Sequence, residues 1–331
     1  MIVLGIESSC DETASAIVKD GRQICSNIIS SQIDIHKKYG GVVPEVASRK
    51  HIEMISFVVE EALKEAKIDI SDVDLVAATR GPGLIGSLLV GLSYAKALAF
   101  ANDIDFVGVN HMEGHIAANY LDSDLKPPFL SLVVSGGHTY LIHVKDYTSY
   151  DVIGRTRDDA AGEAYDKIAR TLGLGYPGGP KIDKLAKLGH ANIELPRVML
   201  KEDHYDFSFS GLKTAVLNYI NSQQMKGEEI VAEDLARSFQ DAVLDVLVGK
   251  TMRLARELDI KTIAVSGGVS ANDGLRNRFA DLERKEGIKT YFPSKILSTD
   301  NAAMIAAAGF NQYKSQGPSD FSIKAIANLG L

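Results

Sequence analysis

Two histidines four residues apart, His111 and His115, have the spacing to grip a single ion. In an α-helix, positions four apart differ by about 40° around the axis and about 6 Å along it, so both imidazoles would leave one face. Asn110, just ahead of them, suits a helix cap, its side-chain oxygen accepting a free N–H of the first turn. Neutral imidazole suits zinc, iron, copper or nickel, so spacing leaves the metal open. Two unrelated histidines on an ordinary helix would give the same pattern. A zinc protease of the common helical type needs Glu directly after the first His as general base. Met112 stands there and Glu113 comes one position late, which argues against that enzyme class but not against a metal.

Asp11 and Glu12 are adjacent carboxylates in the polar turn Glu7-Ser8-Ser9-Cys10-Asp11-Glu12-Thr13. Backbone dipoles there could hold one ionised while the other acts as a base. A solvated turn is the plainer account of the pair. Cys10 has no base within reach in sequence and reads as a small packed residue. Two other turns are built alike, Val134-Ser135-Gly136-Gly137 and Val265-Ser266-Gly267-Gly268. Glycine lets the backbone approach a ligand and aim successive N–H groups at it, a concavity that binds phosphate oxygens. With the loop Gly173-Leu174-Gly175-Tyr176-Pro177-Gly178-Gly179-Pro180, these turns point to a nucleotide or an adenylate. Asp158-Asp159 and Asp166-Lys167, taken alone, read as an exposed charged helix face. Basic residues gather at Lys37-Lys38, at Arg49-Lys50-His51 and along Lys181, Lys184 and Lys187, which suits a nucleic-acid backbone or simply a solubilising surface. His138 and His143 lack ligand spacing.

The elements that must position these groups alternate between strand and helix. Residues 2–6 and 14–18 read as a hairpin around the turn at 7–13, and residues 22–30 as a third strand. From 45 to 66 the apolar residues Ile52, Ile55, Val58, Val59, Ala62, Leu63 and Ala66 recur at helical spacing. A strand at 73–78, a Gly81-Pro82-Gly83 turn, a buried helix through 84–101 and a strand at 106–109 then lead into the two histidines. Ligands placed just past a strand's carboxyl end are where open α/β sheets bind them. The second half offers a strand near 152 and helices at about 160–172, 212–220 and 230–257. A strand at 262–265 and a last helix at 301–313 follow.

A chain of 331 residues, 45% hydrophobic and 24% charged, can bury the cores of two ordinary domains. The segment Asp122-Ser123-Asp124-Leu125-Lys126-Pro127-Pro128 is the linker between them. After it the chain starts again. Laid without gaps on residues 4–20, residues 130–146 agree at six of seventeen positions, ending each time in Val-Lys-Asp. This favours a duplicated domain, expected as 1–124 and 125–331, with the final helix at about 300–314 packing back on the first. The apolar stretch 84–101 is broken by Gly86, Ser87, Gly91, Ser93 and Lys96, and reads as a buried helix rather than a membrane span. Glu7 comes too early for a signal peptide, and two cysteines make no disulfide framework, so a reducing cytoplasm is expected. A net charge of −7 argues against a protein that coats nucleic acid unaided.

Taken together, the motifs resemble one family, the tRNA adenosine threonylcarbamoyltransferases. The resemblance rests on Gly5-Ile6-Glu7-Ser8-Ser9-Cys10-Asp11-Glu12-Thr13, Asn110-His111-Met112-Glu113-Gly114-His115, Val134-Ser135-Gly136-Gly137-His138-Thr139 and the run from Asp158 to Lys167. Tyr176-Pro177-Gly178-Gly179-Pro180, Phe207-Ser208-Phe209-Ser210-Gly211-Leu212-Lys213-Thr214 and Ser266-Gly267-Gly268-Val269-Ser270-Ala271-Asn272 complete it. It covers residues 2 to about 310 and looks like the bacterial branch.

The resemblance implies an α/β fold of the actin, hexokinase and acetate-kinase superfamily, two ribonuclease-H-like domains facing a central cleft. It implies transfer of a threonylcarbamoyl group from threonylcarbamoyl-adenylate to N6 of the adenosine just 3′ of the anticodon, with release of AMP. The tRNAs concerned would read codons beginning with A. His111, His115 and Asp300 would hold one metal ion, iron first and zinc second. Asp300 rests on the match of Ser298-Thr299-Asp300-Asn301 alone. Val133, Val134, Ser135, Gly136, Gly137, Asp166, Gly179, Asp183 and Asn272 would bind the adenylate. Asp11 or Glu12 is the expected group helping to remove the N6 proton. The archaeal and eukaryotic branch carries a Tyr that reaches the metal where Val133 stands here, so no fourth protein ligand is expected. Expected partners are tRNA, a paralogous inactive subunit, a small P-loop ATPase and a synthase supplying the adenylate. The rival readings are an actin-like nucleotide switch, a small-molecule kinase and, less favoured, a metalloprotease.

Overall fold

The computed structural model describes residues 1–331 and clusters them into two units. The first comprises Met1–Pro127, Lys145–Tyr150 and Pro293–Leu331, the second Pro128–Val144 and Asp151–Phe292.

The first unit begins with β1 (Ile2–Glu7), β2 (Glu12–Lys19) and β3 (Gln23–Ser31), then a short α1 (Ile33–His36) and α2 (Pro44–Ala66). β4 (Leu75–Gly81), α3 (Ile85–Ala101), β5 (Asp105–Asn110) and α4 (His111–Ala117) follow. The sheet runs in the order β3-β2-β1-β4-β5. The first three strands are antiparallel neighbours, while β1, β4 and β5 run parallel. Successive side chains of a strand point to opposite faces. Gly5 of β1 accordingly meets Ala302 and Ala306, and Ile6 meets Gly91 of α3.

The second unit carries β6 (Phe129–Val134), β7 (Thr139–Asp146), β8 (Ser149–Arg155), α5 (Ala161–Thr171), α6 (Gly179–Ala186) and α7 (Ser210–Lys226). It continues through α8 (Ala232–Glu257), β9 (Thr262–Ser266), α9 (Asp273–Glu286) and β10 (Lys289–Tyr291). Its sheet runs β10-β9-β6-β7-β8, the same order reversed on the page. Leu130, Leu132 and Val134, alternate residues of β6, enter a core completed by Ile168, Phe239, Val243, Leu247 and Phe279. The chain then returns to the first unit as α10 (Lys295–Ser298) and α11 (Ala302–Gln316).

The internal repeat is reproduced at the level of single pairs. Leu4 pairs with Ile17 and Leu130 with His143, so one offset carries the first hairpin's register onto the second. Leu4 also lies beside Val76 in parallel register and Leu130 beside Ile263.

Several sequence expectations need correction. Glu12 and Thr13 are not in the turn; they open β2, because Glu12 already pairs with Ser31. The segment at 122–128 holds the first break between the units, after Pro127, but it is tied down: Leu125 is buried and the Arg22 guanidinium donates to the carbonyls of Ser123 and Leu125, each at 2.9 Å. His51 does not belong to a basic surface cluster, being fully buried. No helix is long and apolar enough to cross a membrane, and both cysteines are free.

Candidate metal centre and adenylate loops

α4 starts where the sequence places it. Asn110 is extended, and its side-chain oxygen accepts the Met112 N–H at 2.8 Å. His111 and His115 then project together, ring centroids 4.6 Å apart, and both are buried. Across from them stands Asp300, between α10 and α11, its Oδ1 3.5 Å from His111 Nε2 and 3.3 Å from His115 Nε2. One donor atom from each of the three lies within 4.8 Å of the others, so the group could hold a metal ion. The donor set suits one: neither ring nitrogen of His115 makes a hydrogen bond although the ring is fully buried. A polar atom buried without a partner costs roughly 1–3 kcal/mol, a cost a bound cation removes.

Behind this group is a shell that sequence reasoning missed. Glu7, fully buried at the end of β1, places Oε2 3.0 Å from His111 Nδ1 and accepts from the Thr79 hydroxyl at 2.7 Å. Ser9 Oγ lies 3.2 Å from the same nitrogen. A carboxylate on one ring nitrogen keeps the proton there and aims the other lone pair at a metal. Burial works against charge on Glu7, but His111 outweighs it and holds the carboxyl below its usual range. Burial likewise opposes charge on Asp300, yet His111 and His115 hold it well below the carboxylate range. On His111 burial is overcome by Asp300 and Glu7, which push its pKa well up; on His115 burial prevails and lowers it. The available signal for Glu7 was a carboxylate closing an otherwise apolar strand.

Glu113 lies about 200° around the helix from His111. Burial raises its carboxyl to about 7, and its charge interacts with Arg80 and Tyr150 rather than with the ligand set. That geometry gives it no part as a peptidase base.

Asp11 and Glu12 stand side by side at the start of β2, where Ser31 Oγ donates to Glu12 Oε1 at 3.1 Å. Burial, then the charges of Asp11 and Asp300, push Glu12 well above the carboxylate range. Cys10 is likewise pushed up, chiefly by burial, which rules out a ready thiolate.

In the second unit the glycine loops converge. The Ser135-Gly136-Gly137 turn joins β6 to β7, and the Ser135 carbonyl accepts from Gly162 N at the start of α5. A Cβ on Gly267, whose φ is +85°, would stand 2.4 Å from the Val134 carbonyl oxygen, so only glycine fits beside that turn. Gly136, Gly137, Gly179 and Gly268 differ: a Cβ on any of them meets nothing within 4 Å. Packing within the chain does not demand glycine there, and the space is open to a ligand. Val133 and Val134 have fully buried side chains and can offer only backbone. Asp166 Oδ1 accepts from Gly178 N at 2.6 Å. Gln240, unremarked in the sequence, donates to Asp183 Oδ1 at 3.1 Å and accepts from Asn272 Nδ2 at 2.7 Å. Asn272 also caps α9 through Leu275 N.

The remaining charged candidates have structural work. Asp158 accepts from Ser208, from the Ser210 hydroxyl at 2.6 Å and from Phe209 N at 2.8 Å, closing the start of α7. Lys167 pairs with Asp159 and Glu163. Lys37, Arg49 and Lys50 pair with Asp34, Glu45 and Glu53.

A five-stranded mixed sheet occurring twice in the same strand order, one copy carrying a group able to hold a metal, defines a duplicated α/β protein. Solved structures agree on the fold. A HypF from T. kodakarensis aligns over 95% of this chain and 48% of its own length, with TM-score 0.64 and 14% identity. Component A of the (R)-2-hydroxyglutaryl-CoA dehydratase of Acidaminococcus fermentans aligns over 95% and 99%, with TM-score 0.54 and 17% identity. At sequence level, the family profile described as tRNA N6-adenosine threonylcarbamoyltransferase matches residues 23–307. Curated members from Clostridioides difficile strain 630 and Clostridium beijerinckii are 57% and 58% identical, each aligned over 100% of this chain and 98% of the relative. The chain belongs to the tRNA N6-adenosine threonylcarbamoyltransferases, acyltransferases that form threonylcarbamoyladenosine in tRNA.

Proposed function

We propose that this chain takes threonylcarbamoyl-adenylate as donor and modifies the adenosine 3′ of the anticodon in tRNAs reading codons that begin with A. The N6 nitrogen attacks the carbamoyl carbon, a C–N bond forms, the C–O bond to the phosphate breaks and AMP leaves. Backbone of Val133, Val134, Ser135, Gly136 and Gly137, with Asp166, Gly179, Asp183 and Asn272, holds the adenylate. The open space at Gly136, Gly137 and Gly179 supports this assignment. The Asp11–Glu12 pair takes the N6 proton. His111, His115 and Asp300 hold one divalent ion, iron by preference and zinc as the alternative. When bound it supplies Lewis-acid polarisation of the threonylcarbamoyl oxygens. Glu7 and Ser9 keep His111 aimed.

The observation that carries the metal assignment is His115, fully buried, with no hydrogen bond at Nδ1 and with Nε2 turned to Asp300 Oδ1 at 3.3 Å beside His111. The reaction takes place in the cytoplasm with a paralogous subunit and a small ATPase, and a separate synthase provides the adenylate. An acidic chain that meets tRNA through companions should bind it weakly alone, with a shallow salt slope. Mass spectrometry of nucleosides from unmodified tRNA, incubated with this chain, the partner proteins and threonylcarbamoyl-adenylate, tests the proposal. N6-threonylcarbamoyladenosine forming only with the complete set supports it. No product with metal bound and partners active would favour a nucleotide switch instead.

A further inference from the structure

Two imidazoles outside the ligand set, His51 and His36, are fully buried, and both serve the short stretch that bears Asp11 and Glu12. His51 projects from α2. Its Nε2 is 3.0 Å from the Cys10 carbonyl oxygen and its Nδ1 is 2.8 Å from the Thr13 hydroxyl. A carbonyl only accepts, so Nε2 carries the proton and Nδ1 accepts from Thr13. The ring therefore bridges the residue before Asp11 and the residue after Glu12. Burial lowers the pKa of His51, which keeps this neutral arrangement in place.

A second anchor holds the same stretch from the end of β3. Gln32 N donates to the Asp11 carbonyl at 3.0 Å, and Ser31 Oγ donates to Glu12 Oε1 at 3.1 Å. The Gln32 amide is fixed in turn, its Nε2 donating to Ala47 O of α2 at 3.4 Å and its Oε1 lying 3.2 Å from His36 Nε2. His36 Nδ1 accepts from Val43 N at 3.3 Å, which leaves Nε2 as the donor to Gln32. The end of β3 thus holds the pair along the strand ladder, while His51 is the side chain that reaches both its ends, at the Cys10 carbonyl and the Thr13 hydroxyl.

We propose that His51 is a positioning residue for the Asp11–Glu12 pair, holding both carboxyls in register through the Cys10 carbonyl and the Thr13 hydroxyl. This rests on the reading that the pair takes the N6 proton. A histidine that merely glued α2 to the sheet would affect stability and nothing else, so rate is the deciding readout.

The test is steady-state transfer by the full-length chain in the reconstituted reaction, comparing His51→Leu, His51→Gln and Thr13→Val, with bound metal measured on each. A misplacement of about 1 Å can cost on the order of 100-fold in rate. The expected result for His51→Leu is therefore a kcat lower by at least about tenfold, with KM for the adenylate and metal content unchanged. His51→Gln, whose amide can donate to Cys10 and accept from Thr13, should recover most of that loss. Thr13→Val removes one of the two bonds from the opposite side and should lower kcat alone, which covers the case in which His51→Leu fails to fold. A folded His51→Leu with normal kcat overturns the proposal while leaving the base assignment intact, provided Asp11→Asn and Glu12→Gln still lose activity. If those two carboxyl variants keep the normal rate, the base assignment fails and the positioning role fails with it.

Discussion

Replacing Gly5 by alanine should unseat the metal centre by pushing α11 off the sheet. Gly5 lies in β1 beneath the first turn of α11, and a Cβ there would stand 2.2 Å from the Ala302 carbonyl oxygen and 3.0 Å from both N and Cβ of Ala306. Ordinary contact begins near 3.4 Å, so α11 must retreat by over an ångström. The obstacle is backbone and cannot rotate away. Overpacking of this kind costs about 1–3 kcal/mol, and a clash with a helix carbonyl belongs at the upper end. That is a sizeable part of the roughly 5–15 kcal/mol that holds a domain folded. Asp300 sits two residues ahead of Ala302 and moves with it. Metal sites tolerate ligand displacements of only about 0.2 Å, so affinity should fall by at least about tenfold. Gly114→Ala is the control: its Cβ would meet Ile305 Cδ1 at 2.7 Å, the far end of a flexible side chain, and alanine favours helix. Thermal unfolding and competitive chelator titration of both variants give the answer. A Gly5→Ala chain with normal melting temperature and normal metal affinity would show that α11 does not set the position of Asp300.

Four further outcomes follow. Glu7→Gln replaces the carboxylate on His111 Nδ1 with a neutral amide and should weaken metal binding about 10- to 100-fold by chelator competition, with little change in melting temperature. Because Glu12 keeps its proton well above the carboxylate range, single-turnover transfer should rise with pH through that raised midpoint, and Asp11→Asn should move the midpoint down by removing a neighbouring charge. The same shift contributes stability below the ordinary glutamate pKa and loses it as pH rises through the folded value, so Glu12→Gln should raise the melting temperature on the alkaline side while ending transfer. A chain ending at Gly317 loses the bonds from Ser319 N to Phe106 O, Ile326 N to Arg80 O, Gly83 N to Ala327 O and Asn110 Nδ2 to Gly330 O. At roughly 1 kcal/mol each, with the outer edge of β5 laid bare, it should melt earlier and aggregate on light scattering.

Residues close in sequence made much of this protein legible before any fold was known. His111 and His115 share a face because helical periodicity is local, and Asn110 caps them for the same reason. The doubled hairpin could be read because strand alternation and turn chemistry need only a dozen residues to show themselves. Tertiary structure alone decided who stands opposite. Asp300 reaches the histidines across almost 190 intervening positions, as a lone carboxylate with no spacing to mark it. Glu7 and His51 looked like parts of a polar turn and a basic run, and became a buried shell only when β1, β4 and α2 closed around them. Gln240 sits mid-helix, and its link between Asp183 and Asn272 exists only where α6, α8 and α9 meet. Periodicity fixes which way a side chain faces along its own element, but burial and pairing across the chain decide what it meets there.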